Sequence, residues 1–342
     1  MPRKPRVEFE GAVYHVMCRG DHAEPIYQDD ADRQAFLACL EEACAKTEWR
    51  VHAYVLMDNH YHVLLETPQA NLVAGMHWLQ GTYTGRYNRR HRLHGHLFQG
   101  RYKPLLIEPD DDQYFLHVSS YIHLNPVRAK IVDAARAGLE SYRWSSFPGY
   151  AAPRRRPGWL RVERVLAALE LRDTPGGRRK YRVYLGEQAR QVLHPGPGVG
   201  ADLRQQAEAI RRGWCLGSEG FRQRMKQGLD RLFAEHRRAS YGGAAVAEHR
   251  SRSADELLNA ALAAAELAGE DLASLRKTDP RKQAVAWLLR KHSTASNRWV
   301  SERLQMGHEV NVSQAVRRVE IARHGALAGW KRAVRSTLTS KD

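Results

Sequence analysis

The chain has 342 residues, room for two or three domains at about 100–200 residues each. It carries 54 Lys and Arg against 38 Asp and Glu, a formal charge of +16, and an excess of that size points to a polyanionic partner, nucleic acid first. No stretch reaches the roughly 18 consecutive apolar residues of a membrane span, and no apolar run follows the basic N-terminus Met1-Pro2-Arg3-Lys4-Pro5-Arg6. The four cysteines, Cys18, Cys39, Cys44 and Cys215, show no C-x-x-C pair and no disulfide framework. Membrane and disulfide-rich secreted classes are set aside, and the composition reads as a cytoplasmic protein with reduced thiols.

In chain order, Val13-Tyr14-His15-Val16-Met17-Cys18 predicts a first strand, closed by Arg19-Gly20-Asp21. Phe36, Leu37, Leu40, Ala43 and Cys44 recur at helical spacing over 30–46, with Asp29 or Asp30 as the cap. Residues 49–57 predict a second strand, Asp58-Asn59 a turn, and 60–66 the returning hairpin strand. A helix over 71–90, a loop rich in Gly and His over 91–100, a strand over 103–108 and a helix from about Asp111 complete the pattern. The order β-α-β-β-α-β-α predicts an α+β domain over 1–150: a small ferredoxin-like or RRM-like antiparallel sheet with helices on one face. Ala151-Ala152-Pro153-Arg154-Arg155-Arg156-Pro157-Gly158 looks like a linker. An all-α middle module follows over 159–240, with helices at 159–171 and 181–192 and a Ser218-capped helix to 236; it is poor in chemistry. Breaks are expected at Asp173-Thr174-Pro175-Gly176-Gly177 and at His194-Pro195-Gly196-Pro197-Gly198.

Residues 253–335 read as a helical DNA-binding domain. Asp279-Pro280-Arg281 opens a helix with an Asp cap and Pro at its first position. Helix 298–304, the turn Met306-Gly307-His308 and helix 312–318 have helix-turn-helix spacing within about 279–322. Ser313, Gln314, Arg317 and Arg318 are its groove-facing candidates. An ordinary αα-hairpin is the alternative.

Two motifs carry chemistry. In Met57-Asp58-Asn59-His60-Tyr61-His62, strand alternation puts His60 and His62 on one face and Tyr61 on the other. Two imidazoles on a rigid strand make half of a metal site; a half-buried strand that happens to carry two histidines is the other reading. In Tyr121-Ile122-His123-Leu124-Asn125-Pro126-Val127-Arg128-Ala129, helical i, i+4 spacing puts Tyr121 and Asn125 on one face, with Pro126 ending or kinking the helix. A phenol one turn from an amide oxygen, brought to a His-x-His strand, suggests metal-assisted phosphoryl transfer. A packing tyrosine is the alternative for Tyr121. His123 falls off that face and is expected to pack. Glu66 alternates onto the histidine face, as a support to the ligands or an exposed strand-end carboxylate. The basic stretch 86–96, with Tyr87 and His91, is a candidate hold for a hairpin stem or single strand, or a solvated loop.

These motifs, with Gly95-His96-Leu97-Phe98-Gln99-Gly100-Arg101-Tyr102-Lys103 between them, resemble the HUH-type single-tyrosine transposases, in particular the REP-associated tyrosine transposases of bacteria. The resemblance covers about residues 8–150, with all three motifs in order. It implies the HUH fold with the His60–His62 strand central in the sheet, Tyr121 as the nucleophile, and His60, His62 and Asn125 as ligands to Mg²⁺ or Mn²⁺. The implied reaction cuts single-stranded DNA through a covalent 5′-phosphotyrosine and a free 3′-OH, at palindromic repeat hairpins. Arg101, Lys103 and Arg128, inside the matched motifs, are expected phosphate contacts. The partner is then single-stranded or hairpin DNA, with duplex DNA as a possible partner of the C-terminal region, which resembles the DNA-binding domain of the bacterial replication initiator. Monomer and homodimer are both open. Two rival readings remain: a hairpin-binding regulator without catalysis, and an RRM-like RNA-binding module using Tyr14 and Tyr61. There is no P-loop motif for nucleotide hydrolysis.

Overall fold

The computed structural model describes residues 7–133, 138–195, 199–236, 244–269, 271–293 and 295–338. The basic N-terminal tip and Gly196-Pro197-Gly198 lie outside them. The chain forms two compact units, one of Met1–Cys44, Glu48–Leu72 and Leu79–Ala239, the other of Ala45–Thr47, Val73–Trp78 and Ser240–Asp342.

The first unit is built on β1 (Ala12–Arg19), β2 (Arg50–Met57), β3 (His60–Thr67) and β4 (Lys103–Ile107). Their order is β2-β3-β1-β4, every neighbour antiparallel, with β5 (Cys215–Leu216) added parallel to β4 at the edge. The first four strands are thus the expected ferredoxin-like arrangement, and β3 is interior. Helices α1 (Asp30–Thr47) and α2 (Leu72–His91) cover the Tyr61 face. Phe36 of α1 packs with ring centroids 4.8 Å from Tyr61, and Gln80 of α2 donates to the Tyr61 hydroxyl at 3.1 Å. The one-sided layering expected from the sequence is corrected here. Helix α3 (Asp112–His123) lies on the other face, where its Tyr121 meets His62. The reason is apolar content: Val13, Val55, Leu64 and Leu105 share the histidine face by register and are fully buried. An apolar face needs cover, so these strands read as nearly continuous apolar runs.

Local chemistry sets the element ends. Asp29 caps α1 by accepting from the Asp32 amide at 3.0 Å, and Asp111 caps α3 by accepting from Gln113 and Tyr114. Gly20 closes β1 where a Cβ would sit 2.1 Å from the Glu24 carbonyl oxygen, and its amide donates to Asn59 O at 2.8 Å. That glycine lets the β1 end lie against the Asp58-Asn59 turn that leads into His60.

The middle segment belongs to the same compact unit as the sheet. Its helix Pro175–Leu193 starts earlier than the sequence suggested. Thr174 caps it by accepting from Gly177 N at 3.1 Å, and Pro175 occupies a first-turn position, which outweighs the two glycines. Helices Val199–Arg212 and Glu219–His236 flank β5. Asp173 holds this region together: its carboxylate accepts two bonds from Arg156, at 2.6 and 3.1 Å, and one from Arg178 at 2.9 Å. The Arg156 bonds first, then Arg178, pull its pKa down from 3.8 to about 2. A depressed carboxyl contributes stability above its unfolded value and loses it as pH falls through the folded one. Asp173→Asn is therefore expected to cost roughly 1–2 kcal/mol at pH 7, allowing for solvent screening. Urea unfolding should show this deficit shrinking as pH falls from about 4 to about 2; a constant deficit across that window would contradict the assignment.

The second unit is helical among its described residues, with Ala244–Ala264, Pro280–His292, Asn297–Arg303, Glu309–Ile321 and Gly325–Arg335 as its longer helices. Leu258, Leu288, Val300, Leu304, Val312 and Val319 lie in its core. Asp279 caps the second of these helices as expected. Lys282 is fully buried and donates to the Leu272 and Leu275 carbonyls, 2.6 and 3.2 Å away, so a charged side chain there serves as a helix-end cap. Gly307, at φ +82°, makes the turn before Glu309–Ile321. Ser301 Oγ donates to its carbonyl at 3.0 Å, and Asn311 donates to Met306 O at 2.7 Å. On Glu309–Ile321, Val312, Ala315 and Val319 are buried, whereas Ser313, Gln314, Arg317 and Arg318 are exposed.

Candidate active site

Strand alternation puts His60 and His62 on one face of β3, with ring centroids 5.1 Å apart. Each has its Nδ1 engaged. His60 Nδ1 lies 2.7 Å from Asn59 Oδ1, and His62 Nδ1 lies 2.8 Å from Nε2 of His15 on β1. Asn59 Nδ2 donates to Ala23 O at 2.9 Å, so its amide oxygen is the group turned to His60. His60 therefore carries its proton on Nδ1 and keeps a lone pair on Nε2. Burial pushes the pKa of His60 down to about 4, that of His15 to about 3, and that of His62 well below the ordinary value. All three rings are neutral at pH 7, the form that binds metal.

Helix α3 brings the phenol to these rings. Phe115 anchors the helix, fully buried, between the His52 ring at 4.9 Å and the Arg164 guanidinium at 4.2 Å. Two turns on, Tyr121 packs edge-on to His62 and to His15, with centroids 5.9 and 6.0 Å away. The helix ends at His123, and Asn125–Arg128 forms a separate short turn that contains Pro126. Asn125 Nδ2 donates to the Tyr121 carbonyl at 3.0 Å, which leaves Oδ1 available as a donor to a cation. The Arg128 guanidinium lies 5.2 Å from the Tyr121 ring centroid. Burial raises the Tyr121 pKa, against the opposing pull of Arg128, Arg211 and the Asn125 side chain. Tyr121 as a whole residue is 6% exposed.

Residues 8–125 match the family model for IS200-like transposases. Over those residues, about a third of the chain, it is similar to IS200-like transposases. The match covers β1 to β4, α1, α2 and α3, and ends at Asn125, the first residue of the short turn that follows. A solved structure of a REP-associated tyrosine transposase bound to a REP hairpin is similar at 16% identity, over 46% of this chain and 89% of that one, with a TM-score of 0.38. No curated protein matches the chain.

Within this candidate site, His60, His62 and Tyr121 come together, with Asn125 bonded to the Tyr121 carbonyl. Among the described residues, no group of three or more His, Cys, Asp or Glu is arranged to hold a metal. A cation here would rest on His60, His62 and the Asn125 oxygen, with phosphate oxygens completing the shell; that neutral, nitrogen- and oxygen-only donor set suits Mg²⁺ or Mn²⁺ in company with a phosphate. The other expectations are placed as follows. Arg101 is exposed in the loop before β4, and Lys103 donates to the Arg211 carbonyl. His123 packs as expected, its ring nitrogens bonded to Tyr181 OH at 3.0 Å and Ser146 Oγ at 2.7 Å. Glu66 bonds Arg50 at 2.9 Å and pairs with His52 and Arg164. It stands four positions along the strand from His62, about 13 Å, too far to support that ligand directly. The basic stretch after Arg86 is not a loop up to His91. Helix α2 runs through it, and Arg86 pairs with Glu42 while Arg90 and His91 bind the buried Asp32.

Two residues beside Tyr121 are legible only in the structure. His15 is a lone histidine on a strand, and only the pairing of β1 with β3 turns it to His62. Arg211 stands 90 residues after Tyr121 at the end of Val199–Arg212, in a segment without motif. No local pattern announces either one.

Proposed function

We propose that the N-terminal unit is a divalent-metal-dependent nickase and strand transferase of the REP-associated kind, acting on single-stranded hairpin DNA with Tyr121 as its nucleophile. The observation that supports this most is the packing of the Tyr121 phenol against His62 on the face His60 shares. A bound Mg²⁺ or Mn²⁺ would supply Lewis-acid polarisation of the scissile phosphate. His60 Nε2, His62 and Asn125 Oδ1 would hold that cation. Tyr121 Oη attacks phosphorus in line and gives its proton to solvent water; the P–O3′ bond breaks and the leaving 3′ oxygen takes a proton from solvent water. The products are a 5′-phosphotyrosine and a free 3′-OH. The new ester keeps the energy of the old one, so the 3′-OH of another strand reverses the step and joins. Arg128 and Arg211 favour the phenolate that forms on the way. Arg128, over the Tyr121 ring, is placed to contact the phosphate. Arg101 and Lys103 are the proposed backbone contacts of the flanking strand.

The test is a denaturing gel of the protein with labelled hairpin DNA from beside its own gene, with Mg²⁺ or Mn²⁺, and with EDTA. A slow band resistant to denaturation, formed with metal and lost with EDTA, is expected. A hairpin that shifts on a native gel yet gives no such band with either metal would replace this reading with hairpin binding alone.

The second unit is proposed to add duplex contacts through Glu309–Ile321, whose Gln314, Arg317 and Arg318 stand exposed. Arg317→Ala and Arg318→Ala are each expected to weaken duplex binding and to lower the slope of log affinity against log salt by about 1. Nicking of a short hairpin should be unchanged. Equal loss on hairpin and duplex, or an unchanged slope, would contradict a separate duplex surface.

A further inference from the structure

His15 is fully buried on β1, stacked on His62 with ring centroids 4.9 Å apart and 22° between planes. Its Nε2 and His62 Nδ1 are 2.8 Å apart, and its own Nδ1 is buried without a hydrogen-bond partner. A single proton lies between two neutral rings, and its owner decides what His62 can do. If His15 donates, His62 must carry its proton on Nε2 and has no lone pair left for a cation. If His62 donates, its Nε2 is bare and His15 keeps a proton on Nδ1. The neighbouring ligand already shows the second pattern. The Asn59 amide, fixed by Ala23 O, can only accept from His60 Nδ1. Histidines that bind metal regularly donate their other N–H to an acceptor, which fixes tautomer and ring orientation.

We propose that His15 is a positioning residue: its Nε2 accepts the His62 Nδ1 proton and so keeps His62 Nε2 free to bind a divalent cation beside Tyr121. This rests on the metal reading of His60 and His62 given above. A buried ring on a central strand does this more rigidly than a water would, because β1 and β3 are paired along their whole length. The ring also packs on Tyr121, so the same side chain holds the cation ligand and the nucleophile in a common frame.

Two readouts test it on the full chain. The first is the histidine tautomer, from ¹H–¹⁵N long-range correlation spectra of metal-free, ¹⁵N-histidine-labelled protein. His62 is expected as the Nδ1–H form in the wild type and as Nε2–H in His15→Phe, while His60 stays Nδ1–H in both. The second is Mn²⁺ affinity by electron paramagnetic resonance. His15→Phe should weaken it about 10- to 100-fold, and His15→Gln, whose Oε1 can take the place of Nε2, should recover most of the loss. An Nε2–H form of His62 in the wild type overturns the proposal, and so does unchanged Mn²⁺ affinity in folded His15→Phe. If His15→Phe fails to fold, the wild-type tautomer and His15→Gln decide. Absence of Mn²⁺ binding by the wild type would instead sink the metal reading, and the tautomer would still show whether His15 orients His62.

Discussion

Tyr121→Phe is expected to lower nicking of hairpin DNA by about 10⁴- to 10⁶-fold and to abolish the covalent adduct, with hairpin affinity and folding nearly unchanged. The size follows from the role: a nucleophile that becomes part of a covalent intermediate has no partial substitute. The small structural cost follows from the packing. Phe keeps the ring that lies against His62, His15 and the Arg128 guanidinium, and loses only the hydroxyl. Rates from single-turnover cleavage, beside a thermal melt and a native-gel titration, separate the two effects. A loss under tenfold would mean that another group attacks phosphorus.

Removing the strand histidines should be nearly as severe. His60→Ala and His62→Ala are each expected to cost on the order of 10³-fold in nicking, about 4 kcal/mol of transition-state stabilisation. The two variants should differ in everything else. His60 is partly exposed and bonded only to the neighbouring Asn59 side chain, so its loss leaves a folded protein whose activity rises again with excess Mn²⁺. His62 is 4% exposed and bonded to His15. Its loss leaves a cavity and an unpaired buried nitrogen, at a stability cost of about 2–4 kcal/mol. Chemical denaturation and Mn²⁺ titrations check both. Wild-type activity in His60→Ala at low Mn²⁺ would remove it from the site.

The fold was legible where a strand or helix announces itself locally. The His-Tyr-His strand, its Asp58-Asn59 turn and the Asp111 cap of α3 all stand within a residue or two of where the sequence put them. The four-strand order followed from counting elements. The layering was harder to read, because the placement of α3 against the histidine face depends on the burial of both faces, which periodicity in a five-residue strand such as β4 does not report. The middle segment shows a different limit. Its residues read as a small helical module that packs on the N-terminal domain or grips DNA, without showing where it packs: Cys215–Leu216 pairs with β4, Tyr181 bonds His123, and Arg211 acts on Tyr121. Each of those contacts joins residues 58 or more apart in sequence. In the candidate site, the shared face of His60 and His62 follows from alternation within one strand, whereas Asn125 meets Tyr121 from the short turn after α3 rather than from the same helix. His15 was not legible, because its partner is chosen by strand register.

The measurement closest to the central claim is the mass of the attachment peptide. Protein incubated with hairpin DNA and Mn²⁺ would be denatured, digested with protease and nuclease, and read by tandem mass spectrometry. The account predicts a nucleotide phosphate on Tyr121, joined through its 5′ oxygen, and none when EDTA is present. Attachment at any other residue, or cleaved DNA with 5′ ends free of protein throughout the time course, would contradict it.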